Sequence, residues 1–154
     1  MYARILVPVD GSPTATAGLR EAMRLARGGR ATIRLIHVID RLSLVQAMDP
    51  TPMVVDIMKS LEVSGRSALE EARALVEKAG IAVQVTLKRP ARGSVADAIV
   101  EETRRWKAEL IVMGTHGRRG ISRMIMGSTA QGVVASSKSP VLLVRGPRRS
   151  SAAR

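Results

Sequence analysis

The sequence predicts a single α/β domain built on an open parallel sheet with helices on both faces. Three observations predict it. Short apolar runs of strand length alternate along the chain with longer stretches whose apolar residues recur at helical spacing. The runs are rich in Ile, Val and Leu along their length, as strands covered on both faces are. The 154 residues, 45% of them hydrophobic, suit one compact core. Strands alternating with helices imply right-handed crossovers and a sheet sandwiched between helical layers.

The first strand is read over Ala3 to Val9. It runs into Asp10-Gly11-Ser12-Pro13, where Ser12 can cap a helix and Pro13 suits its first position. Ala15, Leu19, Ala22, Met23 and Ala26 then recur at helical spacing, and Gly28-Gly29 stops the helix. The second strand spans Ala31 to Ile39, with Ile33, Leu35 and His37 on one face and Thr32, Arg34, Ile36 and Val38 on the other. Residues 41–52 have no clear pattern and are expected to form a loop near the ligand end of the sheet. A long helix from about Met53 to Lys78 is expected to bury Leu61, Ala68, Ala72, Leu75 and Ala79. Gly65 inside it signals a kink or a close packing contact.

Gly80 ends that helix, and Ile81 to Leu87 alternates as a third strand. Ser94-Val-Ala-Asp97 has the spacing of a capping box, with Asp in place of Glu. The helix it opens has Val95, Ala98, Ile99 and Trp106 as its apolar face. A fourth strand, Leu110 to Met113, precedes a glycine loop. A last helix follows from about Ser128 to Ser136, then a fifth strand, Pro140 to Arg145. Residues 1–146 thus read as one domain, and the Arg- and Ser-rich residues 147–154 as a disordered tail.

The functional signal is concentrated in the glycine loop, Gly114-Thr-His-Gly117-Arg-Arg-Gly-Ile-Ser-Arg-Met-Ile-Met-Gly127-Ser128-Thr129. A strand, a glycine loop and a helix start together make a phosphate cradle, because unpaired amides and the helix dipole converge there. The arginines Arg118, Arg119 and Arg123 add positive charge. The loop is not a Walker A sequence, since no Lys follows its last Gly, and it falls too late for a dinucleotide fingerprint. Its spacing, G-x2-G-x9-G-S, resembles the ATP-binding branch of the universal stress protein family. The flanks Ile111-Val-Met-Gly-Thr-His-Gly117 and Ser139-Pro-Val-Leu-Leu-Val-Arg145 fit the same family.

That resemblance implies the strand order 3-2-1-4-5, an adenine wall at Pro8, Val9 and Val38, and a contact from Asp10 to the ribose side or to a metal. It implies packing of Met113 beside the nucleotide, and a triphosphate surrounded by Gly114, Gly117, Gly127, Ser128 and Thr129. His116 and Arg118 lie between the glycines, within reach of phosphate oxygens. The cofactor implied is ATP, with Mg²⁺ or Mn²⁺ held mainly by the phosphates. His37, beside the base site, is expected to be a satisfied sheet histidine. The resemblance also points to a homodimer through the last strand, Val141, Leu142, Leu143 and Val144. These residues leave an apolar edge guarded only at its ends by Pro140 and Arg145.

Composition narrows the alternatives. The chain has no Cys, which excludes disulfides, thiolate metal sites and cysteine nucleophiles. Met1-Tyr-Ala-Arg-Ile-Leu-Val-Pro8 lacks a signal-peptide pattern and no apolar run is long enough to span a bilayer, so a cytoplasmic location is expected. Twenty-five Lys and Arg against 13 Asp and Glu give a charge of +12. Charge alone admits a nucleic-acid binder, but the basic residues are scattered and the only aromatics are Tyr2 and Trp106. The expected function is therefore a nucleotide-responsive signalling or stress-response module. The alternatives are a slow ATPase or phosphotransferase, and a charge-driven nucleic-acid-binding protein.

Overall fold

The computed structural model describes residues 1–41, 49, 51–116 and 126–146. The elements run β1 (Arg4–Pro8), α1 (Pro13–Ala26), β2 (Thr32–Val38), α2 (Pro52–Lys78), β3 (Ala82–Lys88), α3 (Val95–Trp106), β4 (Leu110–Gly114), α4 (Ser128–Ser136) and β5 (Val141–Val144). The five strands form one sheet in the order β3-β2-β1-β4-β5, with every neighbouring pair parallel. The order reverses between β1 and β4, where Ile5 lies opposite Leu110 and Leu6 opposite Ile111.

Successive strand residues feed opposite layers, as the two-residue period of a strand requires. Ile5, Val7, Ile33, Leu35, Leu110 and Val112 pack with Leu19 and Ala22 of α1 and with Leu69, Ala72 and Val76 of α2. Leu6, Ile36, Ile111 and Met113 pack instead with Ile99 and Val100 of α3 and with Ala130 and Val133 of α4. The two layers are why the central strands read as continuous apolar runs.

The helix starts follow their caps. The Ser12 hydroxyl accepts from the Ala15 amide at 3.1 Å, with Pro13 in the first turn. Ser94 and Asp97 make both bonds of the capping box, at 3.1 and 2.7 Å. The Thr51 hydroxyl accepts from the Val54 amide at 3.4 Å, so α2 begins one residue earlier than its apolar pattern indicated.

The buried stripe of α2 differs from the expected one. Val54, Gly65, Ala68, Leu69, Ala72 and Val76 are the buried residues, whereas Leu75 is 43% exposed and Ala79 is the C-cap. Gly65 sets that rotation, because α2 rests directly on the ring of His37 there. Leu75 is thereby turned to the margin of the contact. Residues 42–48, most of the loop expected before α2, and the tail 147–154 lie outside the described residues.

Glu102 of α3 is only 2% exposed and sits among cations of the sheet. Arg34 reaches its Oε1 at 2.6 Å and Lys88 its Oε2 at 2.7 Å. Arg34 also donates to Gln84 and lies 4.5 Å from the Trp106 ring centre. Burial pushes the Glu102 carboxyl up, but Lys88 and Arg34 outweigh it and hold the carboxyl below its ordinary value.

Candidate functional site

In an open α/β sheet the ligand crevice lies beyond the carboxyl ends of the strands, where their order reverses. Here that place is between the ends of β1 and β4. Carrying the register forward sets Pro8 beside Met113 and Val9 beside Gly114. Asp10 therefore enters the crevice from one strand and the glycine loop leaves from the other.

Asp10 closes the β1–α1 turn. Its Oδ1 accepts from the Ser12 amide at 2.8 Å, and Gly11 takes φ +78° to make the turn possible. Val9 is 6% exposed and its main chain is already engaged: its amide donates to the Ile36 carbonyl at 2.9 Å, and its carbonyl lies 2.7 Å from His37 Nδ1. His37 is thus the satisfied sheet histidine that was expected. The Ile36 carbonyl faces β1 and the Ile39 amide faces Lys88 of β3. By the same alternation, the main-chain groups of Val38 face the β1 side, beyond the point where β1 has ended.

Gly114 serves first as a packing residue. A Cβ there would stand 2.6 Å from Thr14 Cγ2 and 2.9 Å from the Thr14 carbonyl carbon and oxygen. Gly18, one turn along α1, brings the same helix against Met113 and Gly114, with a built Cβ 3.3 Å from the Gly114 amide nitrogen. The sequence reading did not single out Thr14 or Gly18. The signal was a glycine inside the buried face of α1. Met113 is 5% exposed and belongs to the second core layer, with Leu6 and Ile36.

The two ends of the glycine loop are tied together. The Gly127 amide donates to the Thr115 carbonyl at 2.8 Å, and the Thr115 amide donates to the Val144 carbonyl at 3.0 Å. The start of α4 is thereby held on the carboxyl end of β4. Gly127 is its N-cap, with φ −62° and ψ 154°, and as a glycine it supplies no side-chain cap to the first turn. The amide-bearing end at Ser128 and Thr129 keeps the partial positive charge of a helix N-terminus. Among the described residues a Cβ on Gly127 would meet nothing closer than 3.4 Å, and its negative φ does not demand glycine.

His116 is partly buried, with Nδ1 2.9 Å from Thr115 Oγ1 and Nε2 buried without a hydrogen-bond partner among the described residues. Gly117 and Arg118 lie outside the described residues. Among those described, no cluster of three or more His, Asp or Glu side chains has the makings of a metal site. Nor is any of their helices long and apolar enough to cross a membrane. Around the β1/β4 reversal the strand ends carry Pro8, Val9 and Asp10 on one side and Met113 and Gly114 on the other, with Val38 ending the neighbouring β2 and His116, Gly127, Ser128 and Thr129 at the two ends of the glycine loop.

Comparison with known proteins agrees with this architecture. The profile of the universal stress protein family matches residues 1–145. A universal stress protein of Methanocaldococcus jannaschii is 30% identical over 151 residues, covering 97% of this chain and 85% of that protein. The crystal structure of a universal stress protein family member from Burkholderia pseudomallei is 30% identical with a TM-score of 0.73, over 92% of this chain and 95% of that one. A universal stress protein from Archaeoglobus fulgidus, solved in complex with dAMP, shares the fold with a TM-score of 0.68 at 22% identity, over 93% of this chain and 98% of that one.

Proposed function

This chain belongs to the universal stress protein family, and from that premise we propose that it binds ATP at the β1/β4 crevice and acts as a nucleotide-responsive stress module. The observation that carries the reading is the start of α4. A helix N-terminus whose N-cap glycine gives no side-chain cap is held by the Gly127–Thr115 bond against the end of β4, beside the end of β1. Oriented amides at that point suit phosphate oxygens. The Ser128 and Thr129 hydroxyls add donors of the same kind. Asp10 and the main chain of Val38 are placed on the other side of the reversal, where ribose and base would lie. The Archaeoglobus protein's dAMP complex supports a nucleotide of the adenine type on this fold.

Mg²⁺ or Mn²⁺ would arrive on the phosphates, since the described residues offer no ligand cluster of their own. ATP serves in this reading as a conformational ligand. Nothing resembling a P-loop Lys adjoins Gly127, and Asp10 already spends one oxygen on the Ser12 turn, so turnover is slow or nil. We further propose a homodimer contact on β5, whose outer edge has no neighbouring strand among the described residues.

The experiment is extraction of small molecules from freshly purified protein, followed by mass identification and titration. ATP or ADP at near one per chain supports the reading. A protein that carries no nucleotide and takes up none on titration contradicts it.

A further inference from the structure

We infer that His37 is a positioning residue for the nucleotide site, a role that rests on the ATP reading above. A carbonyl can only accept, so the 2.7 Å contact between His37 Nδ1 and the Val9 carbonyl requires the proton on Nδ1. The Val9 amide is bonded to Ile36 of β2, and its carbonyl is drawn toward β2 as well. The Val9–Asp10 peptide is trans, so its carbonyl and its N–H point in opposite directions. Anchoring the carbonyl on His37 therefore turns the Asp10 N–H away from β2 and toward β4, where the crevice lies. It also takes the Val9 carbonyl out of competition for the base edge, leaving that edge to Val38.

The ring is held from the other side by α2. His37 is 8% exposed, and a Cβ on Gly65 would come 2.6 Å from Nε2 and closer still to Cδ2. Glycine in the middle of a 27-residue helix costs helix propensity relative to Ala. The slot it opens for the His37 ring accounts for it. One histidine thus links α2, β2 and the β1–α1 turn that carries Asp10.

The test has a ligand-free arm and a ligand arm. In the nucleotide-free wild type, histidine ring spectra by ¹H–¹⁵N NMR should show His37 protonated on Nδ1. An Nε2–H tautomer would overturn the assignment. In calorimetry, His37→Leu should weaken ATP binding about tenfold, the scale of a lost buried hydrogen bond. His37→Asn presents an N–H at the Nδ1 position and should stay within about threefold of wild type. A purely packing role predicts no rescue by Asn, because Asn fills the slot less well than Leu. Wild-type affinity in His37→Leu, with ATP still bound by wild type, overturns the positioning role alone. Absence of ATP binding in wild type removes the nucleotide reading and this role together.

Discussion

Gly114 and Gly127 belong to one loop and one spacing, yet different forces fix them. Gly114 has the Thr14 backbone within 2.9 Å of any Cβ, so Gly114→Ala must push α1 off the sheet. Overpacking of this kind costs roughly 1–3 kcal/mol, readable as a lower urea midpoint without nucleotide. Among the described residues a Cβ on Gly127 meets only ordinary contacts, and its φ is negative, so its backbone does not require glycine. Gly127→Asp supplies the missing N-cap, so stability should stay within about 0.5 kcal/mol of wild type or rise. ATP affinity should collapse, because a carboxylate then occupies the phosphate position. Unchanged affinity in a folded Gly127→Asp protein would remove α4 from the site. The spacing pattern alone cannot separate these two glycines, since it reports position and not what stands opposite.

At the level of elements, caps and strands were legible because their causes are local: Ser12 and Pro13 start α1, and Ser94 with Asp97 starts α3. The Glu102 cluster was not, because its cations come from β2 and β3, 68 residues and 14 residues away in sequence. Removing one member of a buried pair costs up to roughly 3–5 kcal/mol. Arg34 and Lys88 keep partial solvent access, with side chains 21% and 25% exposed, so Glu102→Gln should cost less than that. The carboxyl's folded-state pKa is lowered, so its contribution is complete above the ordinary glutamate value of about 4.3 and fades as pH falls through the folded value. Urea unfolding of wild type and Glu102→Gln should therefore differ near neutrality and converge in acid. A gap that widens in acid would contradict the assignment.

The edge strand β5 allows a sharper test than its composition did. Pro140 and Val144 give their carbonyls to β4, and with alternation this leaves the main-chain groups of Val141 and Leu143 facing outward. Leu143→Pro deletes one outward N–H while sparing the β4 ladder. Light scattering should show a wild-type dimer and a monomer-shifted Leu143→Pro. A wild-type monomer at micromolar concentration would refute pairing through β5.

For the whole molecule, alternation of strand and helix gave the layers, while the strand order came from the family resemblance; no local rule in the residues dictates it. The observed β3-β2-β1-β4-β5 order is what brings Asp10 and Gly114 together across more than 100 residues of chain. His37 on Gly65 and Thr14 on Gly114 were hidden for the same reason, being contacts between elements. The net charge of +12 is spread along the sequence, and the expected consequence is weak, salt-sensitive binding to nucleic acid. The central claim is that ATP binds at the strand-order reversal, against the start of α4. Calorimetric titration of ATP with Mg²⁺ into wild type and Gly127→Asp tests it most directly. The account predicts one site per chain in wild type and its loss in a variant whose stability stays within about 0.5 kcal/mol of wild type or rises. Equal binding by both proteins, or by neither, would contradict it.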